Sequence, residues 1–126
     1  MIKQLIEDYR INSFWAFVIL LRYRLEHRYF KNKLIRLLLF IIFHILFLIL
    51  GLNALISPSA TIGKRVKFIH RGLNVVISKY AIIKDDVVFY HGVTIGVHEY
   101  HQSQSVIVGK NTILGCYSSI ISSNIA

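Results

Sequence analysis

From Ile56 onward an aliphatic or aromatic residue recurs every six positions: Ile56, Ile62 and Phe68; then Ile77, Ile83, Phe89 and Ile95; then Val108, Leu114 and Ile120. Four positions after these leaders stand Ala60, Val66, Ala81, Val87, Val93, Thr112, Ser118 and Asn124, mostly small or β-branched, with Glu99 the exception. Gly63, Gly96, Gly109 and Gly115 directly follow their leaders. A period of six matches neither the 3.6 of a helix nor the alternation of an ordinary strand. It predicts a mainly β solenoid of triangular coils, three hexads or about 18 residues per turn, whose leaders point into a narrow core while small residues let the corners close. Residues 56–126 are expected to form about four such coils.

Before this domain the pattern is helical. Residues 37–52, LLLFIIFHILFLILGL, carry fourteen large apolar side chains in sixteen positions, and residues 37–56 contain no Asp, Glu, Lys or Arg. A span needs about 20 apolar residues, so the stretch crosses a bilayer only if His44 and Asn53 are tolerated; a helix buried or lying at an interface is the preferred reading. A secretory signal fits poorly, because the block begins late and no small-residue cleavage site follows it. The preceding SFWAFVILLRYRLEHRYFKNKLIR mixes Trp15, Tyr23 and Tyr29 with Arg and Lys. This suits a helix at the lipid headgroup level or in a subunit contact. Residues 1–55 are therefore read as apolar and basic α-helices that associate with a membrane or pack in a trimer.

Composition sharpens this picture. The chain has 126 residues, 55% of them hydrophobic, and 15 Lys and Arg against 6 Asp and Glu give a formal charge of +9. That is one domain with an appendage, too hydrophobic for intrinsic disorder. Residues 1–36 hold eight basic groups against Glu7, Asp8 and Glu26, so the excess borders the apolar segment. This favours a membrane surface over nucleic acid. Cys116 is the only cysteine, which excludes an intramolecular disulfide or a Cys-rich zinc module; it is read as a small thiol in the core.

His70 lies two residues after leader Phe68, and His91 two after leader Phe89. From 68 through 77 and 83 to 89 is one full coil, so the two imidazoles are expected on one face, in coils about 4.8 Å apart. The extra residues between 68 and 77, around Arg71 to Asn74, are expected to bulge at the rim of that face. Neutral imidazole suits the removal of a proton from a hydroxyl.

The segment VISKYAIIKDDVVFYHGVTIG resembles the AVIGDDVTILHGVTLGG stretch of hexapeptide-repeat acyltransferases with a left-handed parallel β-helix, in the branch around serine acetyltransferase. The upstream ISPSATIGKRVKFIHRGLNVVIS is similar to that family's proline turn, Ile-Gly hexad, histidine and Gly-rich stretch. The resemblance covers about residues 56–126. It implies transfer of an acetyl group from acetyl-CoA to a hydroxyl, in homotrimers whose active sites lie between neighbouring β-helices. It implies His70 as general base and His91 at the acyl-donor site. Thr94, Gly96, Gly109 and Gly115 are then the donor-contacting positions, with N–H groups at Gly-rich corners available to an oxyanion. Arg71, His98 and His101 are the expected substrate contacts, and no metal is expected.

The departures bear on the substrate. The family has an acidic residue before the catalytic histidine, where this chain has Ile69, and an Asp before the first hexads, where it has Leu55. The rim after His70 is one residue longer, and no Arg-His-Pro occurs in VHEYHQSQSVI, a segment that breaks the six-residue phase and is expected to loop out. The hexads end inside a repeat at Asn124–Ala126, short of the family's further donor-contacting coils. The expectation is an O-acetyltransferase of a sugar hydroxyl in capsule, lipopolysaccharide or related surface polysaccharide, at the cytoplasmic face of the cell membrane. The alternatives are a serine O-acetyltransferase of cysteine biosynthesis and a non-catalytic hexapeptide-repeat scaffold.

Overall fold

Helix α1 (Ile2–Ile11) is followed directly by α2 (Phe14–Arg28), which starts where the Ser13 side-chain oxygen accepts the Ala16 N–H. Helix α3 (Lys33–Leu50) starts at Asn32, whose side chain accepts the Ile35 N–H. It stops at Gly51, which takes φ 68 so that Leu52 can donate to the Phe47 carbonyl. The computed structural model describes residues 1–97 and 106–122.

Ten short strands follow: β1 (Leu55–Ile56), β2 (Thr61–Ile62), β3 (Lys67–Phe68), β4 (Val76–Ile77), β5 (Ala81–Ile83), β6 (Val88–Phe89), β7 (Thr94–Val97), β8 (Val106–Val108), β9 (Ile113–Leu114) and β10 (Ser119–Ser122). All pair in parallel, and the chain visits three sheets in rotation: β1-β4-β7-β10, β2-β5-β8 and β3-β6-β9. Register places leader on leader, with Ile56, Ile77, Ile95 and Ile120 in one column. Ile62, Ile83 and Val108 form the second column, and Phe68, Phe89 and Leu114 the third. Burial follows the columns: Phe89 and Ile95 are fully enclosed, and only Ile56 and Ile120, in the outermost coils, are partly or fully exposed. The Phe68 and Phe89 rings stack at 5.1 Å.

The small residues two places before the leaders are also inside from Ala60 to Val93, and Ala54, Val75 and Val106 join the series, while Thr112 and Ser118 are only half-buried. The corners turn at the third residue after a leader. Arg65, Arg71, Tyr80, Asp86, Gly92, Asn111 and Tyr117 all have φ between 55 and 74, the left-handed region. The expected Gly-rich corners are therefore not what closes the coils: Gly63, Gly96, Gly109 and Gly115 sit one residue past the inward leader, and the turning positions are mostly side-chain bearing.

Helices α1 and α2 cover the open edge of the first coil. Asn12 accepts from the Phe68 N–H and donates to the Val66 carbonyl. The Tyr23 hydroxyl donates to the Ala60 carbonyl and accepts from the Ile62 N–H. Arg24 donates to the carbonyls of Ile62 and Gly63, both at 2.7 Å. Side chains thus satisfy an edge that a further strand would otherwise pair. Ala16, Leu20 and Tyr23 complete the apolar core of the coils. Tyr23, expected at a headgroup surface or in a subunit contact, is buried within its own chain, where its hydroxyl bridges this edge. Asp8 holds the Arg24 guanidinium at 3.1 Å from within the cap. Its carboxyl titrates above the ordinary carboxylate range because burial outweighs the pull of Arg24. Burial likewise pushes the Tyr23 phenol up to about 12.

Helix α3 packs on α2 through one face only. Phe43 and Phe47 join Val18, Ile19, Leu52 and Ala54 in a second cluster, while 11% of the helix is buried. It is the one helix among the described residues long and apolar enough to cross a membrane, with a mean hydropathy of 2.5.

Candidate functional site

The face that carries the histidines is built by the corner after β3, β6 and β9. Because Phe68 pairs with Phe89, His70 and His91 project from adjacent coils, and their rings meet edge to face at 5.2 Å. The Tyr117 ring meets His91 from the other side, also at 5.2 Å and nearly perpendicular. Three rings from three successive coils therefore form a ladder. His91 is half-buried in it, and its Nδ1 is enclosed with no hydrogen-bond partner among the described residues. His70, at the end of the ladder, is exposed.

The rim after Phe68 is the irregular segment that the spacing predicts. A single 3-10 turn spans His70–Gly72, and His70, Arg71, Gly72 and Asn74 all have positive φ, at 53, 62, 62 and 56. Three of these are not glycine, so the segment stores backbone strain that its surroundings must hold. Asn53 does so by donating to Asn74 Oδ1 at 2.6 Å and accepting the Asn74 N–H. The Gly92 N–H donates to the Leu73 carbonyl at 2.8 Å. Ile19 of α2 packs so closely under Gly72 that a Cβ there would lie 2.9 Å from its methyl group. Gly92, in the HGVT motif, has a related constraint: its φ is 74, and a Cβ would meet the Tyr117 ring at 2.3 Å.

His70 and Arg71 line a cavity of about 320 Å³ with Gly51, Leu52, Asn53 and Leu73. The cavity lies where α3 ends. The Arg71 guanidinium rests 4.9 Å over the Trp15 ring, so this side chain is held against α2 while still bordering the cavity. Among the described residues no carboxylate is hydrogen-bonded to either imidazole, in keeping with Ile69 in the preceding position.

The expected donor-contacting residues are not gathered in one place. Thr94 and Gly96 lie on β7, Gly109 follows β8 and Gly115 follows β9, so they are distributed over all three sheets. Gly115 is nearest in register to the histidines, since the adjacent Leu114 carbonyl accepts the Tyr90 N–H. A Cβ at Gly109 or Gly115 would meet open space, and one at Gly96 only an ordinary contact with Ile121. His98 and His101 lie outside the described residues, as do most of the predicted loop and Asn124. Cys116 is exposed rather than buried, because it occupies the outward position two after leader Leu114, the same place that His70 and His91 hold in their coils.

Tyr117 was not predicted at the site. The only sequence signal for it is its place three residues after a leader, once the corners are known to turn there. No family model matches this chain, and a search of curated proteins finds no match either.

Proposed function

We propose that the chain is an acetyl-CoA-dependent O-acetyltransferase, built on a left-handed parallel β-helix and acting on a sugar hydroxyl of a surface polysaccharide precursor at the inner face of the cell membrane. The observation that carries this reading is the His70–His91 contact at the mouth of a cavity bounded by a strained rim. An accessible imidazole fixed in a concave site is what a general base for hydroxyl activation requires. In the reaction the acceptor oxygen attacks the thioester carbon of acetyl-CoA while His70 takes the hydroxyl proton. The C–O bond forms, the C–S bond breaks, and the departing thiolate is protonated by His70. His91, held between His70 and Tyr117, keeps the base in position. The homotrimer implied by the family resemblance would bring donor-contacting glycines from a neighbouring copy.

A sugar acceptor fits better than L-serine because Ile69, next to His70, stands where the resemblance implies a carboxylate for the amino group. Leu55 borders the space between α2 and the first sheet, away from the His70 cavity. The cavity's location at the C-terminal end of α3 suits a precursor carried on lipid. The scaffold reading draws on the scatter of the donor-contacting residues over three sheets.

The test is loss of the acetyl-CoA thioester absorbance with L-serine and with nucleotide- or lipid-linked sugars, for the wild type and His70→Ala. Sugar-dependent turnover abolished in the variant supports the proposal. Serine-dependent turnover moves the substrate to the alternative. A folded protein that neither binds nor consumes acetyl-CoA supports a scaffold.

A further inference from the structure

Two adjoining hollows lie between α2, α3 and the first sheet. The inner one, about 310 Å³, is walled mainly by apolar groups, among them Ile19, Phe47, Ile56 and Ile77. The outer one, about 550 Å³, is bordered by Arg22, Lys33 and Arg36, with Glu26 the only acid, and by Leu37 and Phe40 of α3. Arg22 and Ile56 belong to both, so the guanidinium stands at the junction. It is held there by Glu26 and by the Phe47 ring, 4.7 Å away. An apolar hollow adjoining a cationic one matches a molecule with a hydrocarbon chain and an anionic head.

The vestibule's charge is not neutralised from within. Three cations face one carboxylate, and two of them, Lys33 and Arg36, sit in the first turns of an 18-residue helix that has no acid in its first turn. The positive end of the helix dipole adds to their charge instead of offsetting it. Such a cluster is stabilised by an external anion. The vestibule also opens beside the exposed face of α3, where Leu37 and Phe40 remain more than half accessible.

We infer that this groove binds the phosphate headgroup of an anionic membrane lipid, with part of its chain in the inner chamber. The inference rests on the membrane association proposed above. It also fixes how α3 meets the bilayer. Arg22 lies over Phe40 and Phe47 in the middle and far half of the helix, paired with Glu26. A crossing α3 would carry these charges into hydrocarbon, whereas a helix lying in the interface leaves them at headgroup depth.

The test is flotation of the full chain with vesicles of phosphatidylcholine alone or with phosphatidylglycerol added. The wild type is expected to prefer the anionic vesicles. Lys33→Gln/Arg36→Gln should lose about 30-fold of that preference, the weight of two cations at an anionic surface, while keeping its binding to phosphatidylcholine. Arg28→Gln/Lys31→Gln removes the same charge outside the groove and should lose clearly less of that preference than the groove pair. Equal losses in the two pairs would overturn the site, leaving only general surface attraction. Binding to neither vesicle would overturn the membrane association and the site with it. A short-chain phosphatidic acid should raise the melting temperature where inorganic phosphate at the same concentration does not; equal shifts would also overturn the proposal.

Discussion

Replacing Tyr23 by Phe removes one oxygen from the helical cap and nothing else. Among the described residues that oxygen is the sole side-chain bridge between the Ala60 carbonyl and the Ile62 N–H, at 2.5 and 3.1 Å, and the residue is 3% exposed. Water cannot readily replace it, so a donor and an acceptor of the first coil lose their partner together. Leaving a buried polar group unsatisfied costs about 1–3 kcal/mol; with partial relaxation of the edge, the variant should be less stable by about 2–3 kcal/mol. A second signature separates this bond from simple packing. Burial raises the phenol to about 12 in the folded protein, against an ordinary value of 10.0. The folded state therefore favours the protonated form. The stability linked to Tyr23 is fully present below pH 10 and is lost as pH rises through about 12, by roughly 2.7 kcal/mol at about 1.36 kcal/mol per unit. Urea unfolding in mild detergent, for wild type and Tyr23→Phe from pH 8 to pH 12, measures both effects. The gap between the two proteins should be constant to pH 10 and close above it. A gap under about 0.5 kcal/mol at pH 8, or parallel curves up to pH 12, would refute the role given to the hydroxyl.

Arg24→Met should destabilise the fold by about 3–5 kcal/mol in the same assay, because it frees two carbonyls and leaves Asp8 buried without its partner. Phe89→Ala should cost about 3–5 kcal/mol through a cavity in the middle of the third leader column. Gly92→Ala should lower stability by about 1–2 kcal/mol from its positive φ alone, and displacement of Tyr117 from His91 should show as a changed tyrosine near-ultraviolet circular dichroism. Tyr80→Asn should raise stability by about 0.5–1 kcal/mol, because an exposed corner with φ 68 suits Asn better than Tyr.

The coil architecture is legible because its determinant is a single repeated side chain. Each leader must fill a narrow interior, so the interval between leaders is also the interval between sides, and counting from Phe68 to Phe89 places His70 beside His91. The corners are illegible by residue type. Asp86, Gly92 and Asn111 favour a left-handed backbone, but Arg65, Arg71, Tyr80 and Tyr117 adopt it because the sheets on either side leave no other path. Tyr117 was missed for that reason. Cys116 was misplaced by the common burial of free thiols, whereas its offset of two from Leu114 points it outward. The work of α2 was hidden more deeply. Arg and aromatic side chains at a headgroup surface and at a β edge have the same composition, and only the folded chain shows Tyr23 and Arg24 turned toward Ala60, Ile62 and Gly63.

Stacked β coils polymerise when the first edge of one copy can pair with the last edge of another, since a head-to-tail contact does not close on itself. Here the outward hydrogen-bonding groups along β2 and β3 of the first edge are occupied by Asn12, Tyr23 and Arg24. The helices thus act as a plug on these two strands: a second copy could pair with β2 or β3 only by first displacing Asn12, Tyr23 and Arg24.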